Sequence, residues 1–232
     1  MQLTFRDVLE VFHVQEKVVH DWIEKKNMPC IRANEQYHFN YIALLDWALE
    51  KKIRLTPEML ALGERQKQPS GLIYEALKAG GIHYDIPGSD REEVIKAIVN
   101  VLPLPSKTNK GMLEAMFIAR EKLTSTGVGN GIAMPHMRNP VVLTIDRPSI
   151  TLCFLKEPVD FKAIDHKPVD IVFTLLTPNV KEHMAILSRL AYCLQNQRLL
   201  DCLRVKAPAE QILAELRVLE SMSSLSVPKD EK

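Results

Sequence analysis

Three glycines separated by single residues, in Thr126-Gly127-Val128-Gly129-Asn130-Gly131, constrain this chain more than any other stretch. Glycine reaches backbone angles closed to other residues and carries no Cβ, so such a run excludes a helix and demands a tight turn. The apolar step that follows, Ile132-Ala133-Met134, predicts a short buried strand, and Pro135 then fixes the backbone leading into His136. Main-chain N–H groups of Gly127, Gly129 and Gly131 in such a turn are expected to point at an anion, with Ser125, Thr126 and Asn130 adding donors. An imidazole held in one orientation is a competent nucleophile near neutral pH. Phosphoryl transfer to it needs mainly positioning and positive charge, and Arg120, just ahead of the glycines, is placed to supply the charge. Two better-known glycine motifs do not fit. Ile132 stands where a dinucleotide fingerprint needs its third glycine, and no Gly-Lys-Ser/Thr follows to make a Walker loop.

The chain changes character at Glu64-Arg65-Gln66-Lys67-Gln68-Pro69-Ser70-Gly71, a polar stretch that places a domain boundary between residues 68 and 69. Residues 1–68 predict helix, turn, helix, short hairpin, helix. A capping box over 4–7 opens the first helix, with Val8, Leu9 and Phe12 on one face. Val18, Val19, Trp22 and Ile23 turn inward on the second, which Asn27 and Pro29 stop. Strands over 30–32 and 36–39 flank a tight turn, Asn40 caps a further helix, and Thr56-Pro57-Glu58 starts another. Beyond the boundary the pattern alternates: a strand over 82–86, helices over 90–102 and 110–123, and central strands over 150–155 and 169–176. A helix over 181–196, a turn around 199–203 and a helix over 208–219 complete it.

Composition narrows the classes. Hydrophobic residues at 46% and charged residues at 25% of 232 exclude disorder as the main state. Thirty Lys+Arg against 29 Asp+Glu leave +1, so no global field draws the chain to nucleic acid or membrane. No apolar run approaches the ~20 residues that cross a bilayer. Met1 opens onto Gln2, Thr4, Arg6 and Asp7 rather than a signal sequence, so a cytoplasmic protein is expected. Cys30, Cys153, Cys193 and Cys202 form no CxxC pair, and His13, His20, His38, His83 and His166 lack partners at metal-ligand spacing. Reduced core cysteines, no metal and no cofactor are expected.

Thr124-Ser125-Thr126-Gly127-Val128-Gly129-Asn130-Gly131-Ile132-Ala133-Met134-Pro135-His136 resembles the signature of enzyme IIA domains of the bacterial sugar phosphotransferase system. The likeness is to the fructose/mannitol and nitrogen-regulatory (PtsN-like) class. The segment over 158–178 resembles that family's second signature and the segment over 181–191 its third, in the same order. The resemblance implies a three-layer α/β/α fold with a mixed sheet over 69–232. It also implies His136 as phosphoryl acceptor from an HPr-like phosphocarrier, His183 as a second active-site histidine, and Arg120 as the neutralising cation. Where the family carries glycine after the acceptor this chain has Met137, Arg138 and Asn139.

Residues 3–53 resemble the MerR/excisionase type of winged helix-turn-helix, which puts its second helix in the major groove. That resemblance implies Gln15, Lys17, His20 and Lys25 facing DNA, with Arg32 and His38 at the wing. Charge argues against it: residues 1–70 hold ten basic and ten acidic side chains, Glu16 and Asp21 lie on the second helix, and His13 replaces the usual turn glycine. The alternative use of this scaffold is docking a regulatory protein or pairing two copies as a homodimer. A phosphorylated regulator is the expected function, against a DNA-binding transcription regulator whose IIA domain only senses, or a binding module with a dead site. No membrane partner is expected.

Overall fold

The computed structural model of the chain describes residues 2–33, 36–51, 53, 54, 56, 58, 59, 72–137, 145–163 and 165–223. Two compact units divide it, Met1–Lys67 and Gln68–Lys232. In the first, β1 (Gln2–Thr4), α1 (Phe5–Phe12), α2 (Glu16–Lys26), β2 (Ile31–Ala33), β3 (Gln36–Asn40) and α3 (Tyr41–Glu50) follow in order. β3 is the centre of a three-stranded antiparallel sheet with β1 and β2 at its sides. The capping box forms: Thr4 N donates to Asp7 Oδ2 at 2.8 Å and Asp7 N to Thr4 Oγ1 at 3.2 Å. β1 is not anticipated in the sequence, because its three residues owe their extended form to β3, about 35 positions away. The α1 helix ends at His13 with φ 52°, a left-handed position that glycine usually fills, and α2 ends at Asn27 with φ 53°.

Trp22 anchors this unit, edge-on to Phe12 at 5.3 Å and tilted against Trp47 at 5.4 Å, whose Nε1 donates to Lys26 O at 2.9 Å. Val19 and Trp22 are buried, whereas Val18 and Ile23, expected inward, lie at the margins of that face and are half-buried. Glu58 and Met59 are helical, and Thr56 Oγ1 accepts from Met59 N at 3.3 Å and donates to Val11 O. Pro57, the hairpin turn at 34–35 and the polar stretch over 64–71 lie outside the described residues.

The second unit runs α4 (Leu72–Gly80), β4 (Ile82–Ile86), α5 (Arg91–Val101), α6 (Lys110–Leu123), β5 (Gly127–Gly129) and β6 (Ile132–Ala133). β7 (Ser149–Val159), β8 (Val169–Leu176), α7 (Val180–Cys193), α8 (Gln197–Arg204) and α9 (Ala209–Ser223) follow. Its five-stranded sheet has the order β4-β7-β8-β6-β5 and is mixed: β4 runs parallel to β7 and β6 parallel to β8, and the other pairs are antiparallel. Alternation along β7 and β8 explains their near-continuous apolar character. Cys153, Leu155, Val172 and Leu176 join a core with Val94, Ile98 and Phe117 of α5 and α6. The intervening Leu152, Phe154, Phe173 and Leu175 are equally buried on the opposite face, and α4 packs along β7 and against α7 and α9. α4 is a helix the sequence pattern does not announce, and Gln197–Arg204 forms a helix where a turn is expected, capped by Asn196 Oδ1 accepting from Arg198 N and Leu199 N.

Cys153, Cys193 and Cys202 are buried and Cys30 is half-buried, and burial pushes the Cys153 and Cys193 thiols up to about 12. A buried ion pair ties three helices together. Glu220 of α9 accepts from Ile73 N at 2.8 Å and Tyr74 N at 2.9 Å, satisfying two amides at the start of α4, and faces Arg189 Nη1 of α7 at 3.8 Å. Replacing Glu220 with alanine takes the acceptor from one buried and one partly buried amide and the partner from a buried guanidinium. The expected loss is about 3–5 kcal/mol, read as a lowered midpoint in denaturant titration.

Candidate functional site

β6 and β8 are parallel neighbours, Ile132 facing Ile171 and Ala133 facing Val172. Parallel strands end on the same side of a sheet, and in α/β folds ligands bind beyond those carboxyl ends. Past β6 the chain keeps alongside β8 through Met134 and Pro135 to His136, which bridges to Leu175, with Leu175 N donating to Pro135 O at 3.4 Å. Past β8, Thr177 leads to Asn179, whose Oδ1 accepts from Glu182 N at 2.9 Å and starts α7. His183 stands in the first turn of that helix. The two strand exits thus bring the histidines together, ring centroids 5.3 Å apart with planes tilted by 42°. Both rings are buried, His136 at 4% and His183 at 2% exposure.

His136 Nδ1 lies 2.8 Å from the carbonyl oxygen of Met134. A carbonyl only accepts, so this contact keeps the ring proton on Nδ1 and the lone pair on Nε2. His183 Nδ1 lies 3.2 Å from Thr177 Oγ1, which fixes the second ring from the end of β8. Arg120 is buried at the carboxyl end of α6, its Nη1 donating to Thr124 O at 2.8 Å, a cation where the helix dipole favours one.

Several polar groups of the glycine turn have partners within the protein. Ser125 Oγ donates to Phe161 O at 2.6 Å and accepts from Gly127 N at 3.0 Å. Thr126 donates both its N–H and its hydroxyl to Glu121, and Asn130 N donates to Asp165 Oδ2 at 2.9 Å. These donors hold the β5–β6 hairpin rather than pointing outward. A Cβ on Gly127 would fall 2.6 Å from Ala163 Cβ, and Gly131, at φ 77°, would place one 2.9 Å from Asp170 Oδ1. Gly129, at φ 90°, opens the turn.

Glu121 and Thr177 belong to this site and the sequence alone does not single them out. Burial pushes the Glu121 carboxyl up, opposed by the Thr126 hydrogen bonds and by the Arg91 and Arg120 guanidiniums. The side-by-side position of Glu121 and Arg120 at a helix end was the one available signal. Thr177 has none, since its role depends on where β8 ends.

In the first unit Gln15, Lys17, His20 and Lys25 are all exposed on or just before α2. Lys25 Nζ is held by Asp21 Oδ1 at 2.6 Å, and the His20 ring lies tilted against Phe5 at 5.1 Å and edge-on to Tyr37 at 5.8 Å. Arg32 lies over the Tyr37 ring at 5.8 Å and shares that face of the sheet. His38 alternates to the other face, opposite Thr4 and Ile31, so the two residues expected at the wing both lie on the β2–β3 hairpin but on opposite faces of its sheet.

Residues 75–218 match the family described as "Phosphoenolpyruvate-dependent sugar phosphotransferase system, EIIA 2". The chain is 36% identical over 150 residues to the nitrogen regulatory protein of Pseudomonas aeruginosa, covering 63% of this chain and 94% of that protein. It is 32% identical over 145 residues to the nitrogen regulatory protein homolog of Haemophilus influenzae, covering 60% and 87%. Among solved structures, the nitrogen regulatory protein IIA-Ntr from Neisseria meningitidis superposes with a TM-score of 0.55 at 32% identity, over 62% of this chain and 99% of that one. Among the described residues no helix is long and apolar enough to cross a membrane.

Gly127→Ala is expected to cost about 1–3 kcal/mol, because the added methyl meets Ala163 on packed backbone rather than a flexible side chain. Thermal or denaturant unfolding of the full chain checks it.

Proposed function

Because this chain belongs to the phosphoenolpyruvate-dependent sugar phosphotransferase system EIIA 2 family, we propose that Nε2 of His136 reversibly accepts a phosphoryl group from an HPr-like phosphohistidine carrier. The observation that carries this reading is the buried pair of histidines at the ends of two parallel strands, one with its Nδ1 committed to a carbonyl. The Nε2 lone pair attacks phosphorus as the donor's N–P bond breaks, and that electron pair returns to the donor ring, whose other nitrogen is protonated. Nδ1–H of His136 stays on the Met134 carbonyl throughout and spreads the positive charge that the ring acquires. His183 binds the transferring oxygens, and Arg120 supplies positive potential from the end of α6. The Ser125 hydroxyl, Thr126 and the Asn130 amide serve as scaffold, bonded to Phe161, Glu121 and Asp165, and the glycines of the turn remain candidates for the phosphoryl oxygens.

The likeness to nitrogen regulatory proteins favours regulation over sugar uptake as the use of this phosphate. In this reading residues 69–232 form a three-layer α/β/α IIA domain and residues 1–68 a winged helix-turn-helix that receives its state. A charge of about −2 at His136 is the signal, passed to DNA or a regulatory protein partner. The second reading, a DNA-binding regulator with a sensory IIA domain, draws on the exposed polar face of α2 beside the β2–β3 hairpin.

Intact-mass analysis after incubation with phosphoenolpyruvate, enzyme I and an HPr-like carrier tests the acceptor. One acid-labile phosphoryl adduct is expected, lost in His136→Ala and formed roughly a hundredfold more slowly in His183→Ala. A folded protein that takes no adduct overturns the reading. Fluorescence anisotropy with duplex DNA across a salt series tests the N-terminal unit: affinity that falls steeply with salt supports DNA as the target, and no binding leaves a protein partner.

A further inference from the structure

Resting on His136 as the acceptor, we propose that Glu121 is a positioning residue that sets the tautomer and aim of the His136 ring through Thr126 and Met134. The chain of contacts is short. Both Glu121 oxygens lie 3.2 Å from Thr126 N, and Oε2 also takes the Thr126 hydroxyl. Thr126 O accepts from Met134 N at 2.9 Å, and Met134 O is the partner of His136 Nδ1 at 2.8 Å. Glu121 itself is 3% exposed, with Arg91 Nη1 3.6 Å away.

A buried carboxylate is an expensive way to hold a turn, since a neutral side chain could take the same amide without the desolvation cost. What the carboxylate adds is two strong bonds from one residue, its amide and its hydroxyl together. Thr126 is thereby fixed in orientation, and its carbonyl is aimed at Met134. β6 is only two residues long, so the Thr126–Met134 bond is one of few restraints on the peptide that follows it. If that peptide turns, the Met134 carbonyl leaves Nδ1. The ring can then move its proton to Nε2, and no lone pair faces the incoming phosphorus. Because Glu121 follows Arg120 directly, one helix end sets both the cation and the ring.

Histidine-labelled full-length protein, studied by two-bond 1H–15N correlation NMR, reads the tautomer, and the phosphoryl-uptake assay reads the rate. Glu121→Gln and Thr126→Val are each expected to raise the Nε2–H share of His136 and to slow uptake by about tenfold or more. Thr126→Ser restores both, and the double variant is no slower than the worse single one, as expected for one shared path. Glu220→Gln, at the other buried carboxylate, lowers stability and leaves the His136 tautomer as in wild type. Variants that fold cooperatively and keep the Nδ1–H signature overturn the inference. Should Glu121→Gln fail to fold, Thr126→Val decides alone. The tautomer shift also stands apart from phosphorylation: a wild-type protein that takes no phosphate, yet changes tautomer in Glu121→Gln, removes the acceptor reading and keeps this one.

Discussion

Two residues of parallel pairing between β6 and β8 decide where the chemistry of this protein stands. β8 lies between β7 and β6 and is buried on both faces, so it serves as the fixed reference. β6 is too short to find its own register. At its start Gly131 O accepts from both Asp170 N at 3.0 Å and Ile171 N at 3.1 Å, and past its end His136 bridges to Leu175. A slip of one residue would send every side chain to the opposite face of the sheet, and His136 would turn away from α7. Gly131 is required where backbone must approach backbone, at a left-handed φ and where an added Cβ would come within 2.9 Å of the Asp170 carboxylate. The turn that dominates the sequence therefore acts on the site indirectly, by pinning a strand.

Buried charge fixes several elements of this unit. Arg120, Glu121, Arg189 and Glu220 are each less than a tenth exposed, which costs free energy that apolar side chains would not. Two of them match the polarity of a helix end: Glu220 takes amides at the amino end of α4, and Arg120 takes a carbonyl at the carboxyl end of α6. Each binds a group that the helix leaves without an internal partner. In a core otherwise made of non-directional apolar contacts, these are the bonds that resist rotation and sliding. A phosphoryl acceptor of the kind proposed for His136 needs such resistance, because a ring nitrogen is useful only when its lone pair is aimed.

The parts of this arrangement that were legible in the sequence are the local ones. Periodicity marked α1, α2, α5 and α6, apolar runs marked β7 and β8, and ordered signature segments brought His136, His183 and Arg120 forward. What escaped depends on distant chain. β1 is a strand because β3 is beside it, and α4 starts where it does because Glu220, about 147 positions later, takes its first amides. The partners of the Ser125 hydroxyl and the Asn130 amide escaped for the same reason: Phe161 and Asp165, which take them, lie across a gap no local pattern bridges. Arg32 and His38 were both read at the wing, and the two-residue period of a strand puts them on opposite faces of it.

The N-terminal unit poses the opposite problem, a resemblance legible in sequence with several of its charges already in use. Lys25 is held by Asp21, Arg6 donates to Glu10 at 3.0 Å, and Arg32 rests on Tyr37. Affinity for a duplex grows with the number of cations that displace condensed counterions, and ten acidic side chains offset ten basic ones over residues 1–70. A single copy therefore has little non-specific attraction to draw on. Recognition of DNA by this surface would rest on side-chain contacts to base edges, doubled by pairing two copies on a repeated site. Recognition of a protein needs no such field, and the half-buried ring cluster of Phe5 and Tyr37, with His20 exposed against it, offers the rigid aromatic contact area that protein interfaces favour. Salt dependence thus separates the two targets at this surface, because only the first requires charges that its own neighbours already hold.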